Sequence, residues 1–235
     1  QAAEIKVLTT GIFRGVFPIL IPEFEKNTGH KVVLTTETPG VLKEKLLKGE
    51  NPDVVFAVNV IMKDIEQSGK IIKESSTEIG QVYIAGVIRS GASKPDLSTS
   101  ESVKRSILVS KSVAINDPKG GSNIGRFVMG LADKFAFSDE LRSRFKMFPG
   151  GGDQVSEAVL RGDSDFGITI STEIVSVKGV EISGPMPPEM NDVIIAYGFL
   201  LPGTQQAKAG KALIQFMVSP RVKALLRSRG MEPSR

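Results

Sequence analysis

The chain of 235 residues has no cysteine and no tryptophan. Without cysteine it can form neither disulfides nor thiolate metal sites. It has one histidine, His30, which leaves little room for zinc chemistry or a histidine-dependent triad. Aromatic residues make up only 6% and do not interleave with Lys and Arg, so the pattern of a nucleic-acid-binding surface is missing. A net charge of +4 is mild and scattered, and reads as solvated surface, not as a polyanion site. No apolar run reaches the ~18 residues of a membrane span.

What is present suits a globular protein. The composition is 40% hydrophobic and 24% charged, and the length accommodates one large domain or two small ones with real cores. The opening "QAAEIKV" enters a strand pattern at once, as a mature end left by signal-peptide removal would. The expectation is an exported, periplasmic protein, and lack of cysteine is compatible with that compartment.

Along the chain, strand and helix patterns alternate. "EIKVLTT", "KVVLTT" and "DVVFAV" read as strands, each followed by a helical stripe. Pro18 fits the first turn of the first helix, and Pro22 should kink or tighten it. The order then recurs: "SVAIND", a helix over Gly125 to Phe137, "FKMFPG", the helix "QVSEAVLRG" and the strand "FGITIS". "LKGENPDVVFA" and "LRGDSDFGITI" share one design, in which a helix ends at Gly49 or Gly162 and an apolar strand follows Asp53 or Asp165. Such repetition predicts two similar α/β lobes. Between them, Ser98 and Glu101 read as a capping box. The boundaries expected are residues 1–84 plus 196–235 for one lobe and 85–195 for the other, with linking strands near 82–88 and 192–199.

Enzymatic motifs do not appear. "NDPKGGSNIGRF" lacks the Lys and hydroxyl of a phosphate-binding loop, the spacing of a dinucleotide fingerprint, and the second Gly of a nucleophile elbow. The reading is therefore no enzyme, no catalytic residues, no cofactor and no metal. Binding remains. The turns "TTGIFRG", "TTETPGV", "NDPKGGSNIG" and "FPGGGDQV" all follow strands, and the carboxyl ends of strands are where open α/β sheets hold ligands. Helix N-termini there favour an anion.

The phrases "VLTTGIFRGVFPILIPEFEKNTGHKV", "LLKGENPDVVFAV", "VAINDP", "VLRGDSDFGI" and "LIQFMVSPRVKALLRSRGMEPS" resemble the type-2 periplasmic solute-binding proteins of ABC importers, in the molybdate-binding-like branch. The resemblance runs along nearly the whole chain. It implies two Rossmann-like α/β lobes joined by a two-strand hinge, closing on a solute and delivering it to a membrane permease. Molybdate binders of this branch use two serines, backbone N–H groups and a tyrosine. Matched turn by turn, those places hold Ile12, the Thr38-Pro39-Gly40 turn and Ile170, so side-chain donors are lost, and Pro39 removes an N–H. A small organic carboxylate is expected in place of a molybdate-type oxyanion. Arg14 would grip it bidentately. Gly11, Ile12, Phe13, Thr38, Gly40 and Asn59 in the first lobe, and Ser122, Asn123, Gly152, Gln154 and Ile170 in the second, complete the candidate set. The protein is expected to be a monomer. A sensor or effector domain, or less readily a transferase on the same fold, stands as the alternative.

Overall fold

The computed structural model describes residues 2–119 and 123–235. In chain order the elements are β1 (Glu4–Thr10), α1 (Phe17–Thr28), β2 (Lys31–Glu37), α2 (Pro39–Leu47), β3 (Val54–Val58), α3 (Asn59–Gln67) and β4 (Thr77–Val82). Next come β5 (Ile84–Arg89), α4 (Ser100–Val109), β6 (Val113–Asn116), α5 (Asn123–Lys134), α6 (Asp139–Ser143), β7 (Phe145–Phe148), α7 (Gly152–Arg161), β8 (Phe166–Ile170), α8 (Ser171–Ile174) and β9 (Val180–Pro185). The chain ends with β10 (Ile194–Leu200), α9 (Ala207–Met217), α10 (Pro220–Ser228) and β11 (Glu232–Pro233). They form two compact units. Unit 1 holds the residues up to Gln81 together with Ile194–Arg235, and unit 2 holds Val82–Val193.

Each unit has its own sheet. Unit 1 has the strand order β11-β4-β10-β3-β1-β2, and unit 2 has β7-β6-β8-β5-β9. β1 lies parallel to both β2 and β3, and β3 pairs antiparallel with β10. Correspondingly, β6 lies parallel to both β7 and β8, and β8 pairs antiparallel with β5. The two sheets thus share one design, as the repeated sequence pattern predicts.

Asp53 and Asp165 show why that pattern repeats. Asp53 accepts from the Lys6 N–H at 2.8 Å and from the Thr204 hydroxyl at 2.6 Å. Asp165 accepts from the Lys111 N–H at 2.8 Å. In each unit an Asp ahead of the third parallel strand ties down the entrance of its central neighbour. Gly49 and Gly162, at φ of 100° and 82°, turn the preceding helix end through a conformation that glycine adopts without a Cβ clash.

Local details follow from the residues. Pro18 sits in the first turn of α1, where a missing N–H costs nothing. The helix runs on through Pro22. The cap of α4 differs from the Ser98–Glu101 reading: Thr99 is the N-cap and forms a reciprocal box with Ser102. Ser98 is taken by Asp96, whose carboxylate accepts the Ser98 hydroxyl at 2.6 Å. α5 starts at Asn123 and buries Gly125, Val128, Leu131 and Ala132, one stripe at helical spacing.

Candidate functional site

In unit 1 the carboxyl ends of β1, β2 and β3 carry the candidate turns. After Thr10 the chain makes a short 3-10 turn, Gly11–Phe13, closed by Arg14, whose N–H donates to the Gly11 carbonyl at 3.0 Å. Arg14 therefore stands ahead of α1, not at its start. Its guanidinium folds back over the turn, and a Cβ placed on Gly11 would lie 3.5 Å from Arg14 Nη2. Arg14 is exposed and makes no ion pair or side-chain hydrogen bond among the described residues. Such a guanidinium is a planar, bidentate donor without an acceptor among the described residues.

Phe13 corrects the sequence reading. It is 0% exposed, stacked on Phe17 at 4.9 Å and edge-on to Phe56 at 5.5 Å between ring centroids. No surface of it remains for a ligand. The apolar stripe of α1 needs a partner under the β1 turn, and Phe13 is that partner. Ile12, by contrast, is half-buried at the edge of the core cluster that includes Leu8, Leu42 and Phe199. Next to the turn, the Thr10 hydroxyl is buried without a hydrogen-bond partner among the described residues, a costly arrangement for a polar group.

The other unit 1 candidates are partly committed to the fold. Thr38 is the N-cap of α2, accepting from the Val41 N–H at 3.4 Å. Pro39 opens that helix, and Gly40 is exposed beside open space. Asn59 begins α3, and its Oδ1 accepts from the Ile195 N–H of β10 at 3.1 Å. Tyr197 on β10 ionises above its usual range, because burial disfavours the phenolate and Glu78 and Glu66 add negative charge.

In unit 2, Asn123, Gly152 and Gln154 follow the carboxyl ends of β6 and β7, and Ile170 is the last residue of β8. Ser122 lies outside the described residues. Asn123 Oδ1 accepts from the Arg126 guanidinium. Gly152 is buried in the first turn of α7, while Gln154 is exposed and reaches Asp153 Oδ2 at 3.4 Å. Ile170 ends β8 opposite Ile84 and packs on the unit 2 core.

Two side chains that sequence reasoning missed organise this end of unit 2. Asn116 is fully buried at the end of β6. Its Nδ2 donates to the Gly150 carbonyl at 3.2 Å, and its Oδ1 accepts the buried Thr169 hydroxyl at 3.0 Å. Glu173 in α8 accepts the Asp153 N–H at 2.9 Å. The only sequence signal for Glu173 is indirect, the glycine run Gly150–Gly152 that makes room for it.

The model of the bacterial extracellular solute-binding protein family matches residues 5–232. The chain belongs to that family. Solute-binding proteins of this family bind small solutes and serve ABC transporters, whose membrane permease is their partner. Among its relatives is an aconitate isomerase from a Pseudomonas species, 27% identical over 97% of this chain and 87% of the relative. The molybdate-binding protein of Azotobacter vinelandii is 22% identical, covering 98% of this chain and 90% of its own. Among solved structures, the substrate-binding domain of a candidate molybdenum ABC transporter from Clostridium difficile superposes with a TM-score of 0.81 at 12% identity, covering 99% and 100% of the two chains. The sulfate-binding protein SubI of Mycobacterium tuberculosis does so at 0.62 and 16% identity, covering 98% and 87%. This likeness establishes the fold, the two-sheet α/β architecture of type-2 periplasmic binding proteins.

Proposed function

We propose that this protein is a periplasmic, monomeric receptor that captures a small organic carboxylate and hands it to an ABC permease without chemically altering it. The observation that carries this reading is Arg14, an exposed guanidinium without a partner among the described residues, folded over the Gly11 turn. One residue earlier, the buried Thr10 hydroxyl has no hydrogen-bond partner among the described residues, which costs stability at this turn. Ile12 supplies apolar contact, which suits a carbon skeleton better than a bare tetrahedral oxyanion. The relative named for aconitate, itself an organic carboxylate, supports the same ligand class.

Isothermal titration with aconitate, citrate, sulfate and molybdate tests it. A carboxylate should bind at least tenfold more tightly than either oxyanion. Arg14→Ala should weaken that binding by about 10- to 100-fold, the range of a charge-assisted hydrogen bond. Folding stability should move by less than ~0.5 kcal/mol, as for an exposed residue without partners among the described residues. Tighter binding of molybdate than of every carboxylate would overturn the reading.

A second reading has one specific support. The same 27% identical relative is named as an isomerase, so turnover of aconitate on this fold is the alternative. Proton NMR of aconitate incubated with the protein decides it, since isomerisation changes the vinyl resonance and simple capture does not.

A further inference from the structure

We infer that β2 is a docking edge for a second copy of this protein, the two strands pairing antiparallel about Leu34. β2 is the end strand of the unit 1 sheet, bonded to β1 alone among the described strands. An open edge offers unpaired N–H and C=O groups to any other strand, and proteins blunt it with short strands, bulges or proline. The other sheet ends are blunted in these ways. β11 has two residues, the second a proline. β7 has four. β9 ends at Pro185, and its register on β5 shifts at Gly86. β2 instead has seven residues in unbroken register with β1, none of them glycine or proline, and its Val-Val-Leu-Thr-Thr run suits a strand. Val33 is 47% exposed and Leu34 38%.

The free groups of this edge are self-complementary. In a parallel pair, alternate residues turn their backbone groups to the neighbour. The Lys31 N–H donates to the Ala3 carbonyl, on the β1 side, at 2.8 Å. Lys31, Val33, Thr35 and Glu37 therefore bond inward, and Val32, Leu34 and Thr36 face outward. A second β2, rotated by half a turn about Leu34, places Leu34 opposite its own copy and Val32 opposite Thr36. These are the residues with free backbone groups, so each such pair can exchange both hydrogen bonds. The same rotation sets Val33 opposite Thr35 and, at both ends, Lys31 opposite Glu37, in the closer pairs without hydrogen bonds. Opposite charges facing across strands stabilise the pair, and like charges oppose it. Lys31 and Glu37 each have a partner within the chain, Glu25 at 3.1 Å and Lys45 at 2.8 Å. An ammonium and a carboxylate both have capacity for another.

The pairing uses up both free edges. It merges two unit 1 sheets into one that ends in β11 on either side, so assembly closes at two copies. One strand pair is a small interface, of the class below ~1,200 Å² whose complexes are weak and transient. The receptor therefore stays monomeric when dilute and pairs as its concentration rises.

Sedimentation velocity of the full chain from ~1 µM to ~1 mM, a range that spans weak association, should show monomer passing into dimer and nothing larger. Leu34→Lys puts like charges on the rotation axis and should leave monomer alone. Lys31→Glu and Glu37→Lys should each weaken self-association by about tenfold or more. An equimolar mixture of K31E and E37K should dimerise as the wild type does, because every Glu then faces a Lys; no loss of folding mimics that rescue. The chain has no cysteine, so Leu34→Cys adds a sole thiol. At the ~5.5 Å Cα separation of a hydrogen-bonded pair it should oxidise to a covalent dimer, whereas Thr36→Cys, which faces Val32 and not its own copy, should not. A wild type that stays monomeric throughout overturns the proposal, whether β2 then accepts another protein's strand or none. So does a dimer that L34K leaves intact, a pair of charge variants that do not rescue each other, or equal cross-linking of L34C and T36C.

Discussion

Replacing Phe13 by alanine separates a core residue from a ligand wall. The ring is fully buried and touches two others, Phe17 at 4.9 Å and Phe56 at 5.5 Å, which are themselves 5.3 Å apart. Truncating a buried phenylalanine costs about 3–5 kcal/mol through lost transfer energy and the cavity left behind. Each lost aromatic pair is worth ~0.5–1.5 kcal/mol beyond area, which places this site towards the upper end. At about 2–4 °C per kcal/mol for a chain of this size, Tm should fall by roughly 6–20 °C. Phe13→Leu keeps most of the volume and should lose much less, about 1–2 kcal/mol. Far-UV circular dichroism is the assay, because the chain contains no tryptophan. The argument is refuted if F13A melts within about 2 °C of the wild type while losing ligand affinity, the behaviour of a surface contact.

Two further outcomes are expected. Asn116→Ala removes the bond to the Gly150 carbonyl and leaves the buried Thr169 hydroxyl without its acceptor, at a cost of about 2–4 kcal/mol in urea unfolding; adding Thr169→Val should recover part of that loss, and no recovery would contradict the pairing. Asp96 is held below its ordinary value of 3.8 by the Ser98 hydroxyl and N–H, Asp64 below the same value by Lys43, and Glu44 below 4.5 by Lys48. A lowered folded value means that the contribution is present above the unfolded value and is lost as pH falls through the folded one. Urea midpoints should therefore decline below about pH 4.5, and added salt should blunt the Lys-paired part more than the part due to Asp96.

The sequence carried the alternation of strands and helices, the family resemblance and the doubled α/β design, because each rests on local periodicity and on turn residues such as Gly49, Asp53, Gly162 and Asp165. Features that depend on distant pairing were harder to read. The α4 cap slipped by one residue because Ser98, Thr99 and Ser102 offer interchangeable hydroxyls, and only the position of Asp96 decides which is free. Phe13 stands in a stretch that reads as a loop, and no pattern says that a 3-10 turn folds its ring beneath β1. Glu173 lies 20 positions from the N–H it caps, beyond any local spacing rule. β9 and α8 went unread, since "GVEISGPMPPEM" is broken by Gly and Pro and a four-residue helix has no periodicity to detect.

One unit is written as a single uninterrupted stretch and the other as two pieces around it. Strand β3 waits for β10, with Val58 opposite Ala196, and the Leu200 N–H closes on the Ser75 hydroxyl 125 positions away. Loop-closure entropy delays such distant pairings. Unit 2 is therefore complete within one stretch of chain, while unit 1 lacks the strand in the middle of its sheet until the chain returns at Ile194. Until β10 pairs with it, the edge of β3, whose five residues are all buried in the finished sheet, stays open to other strands.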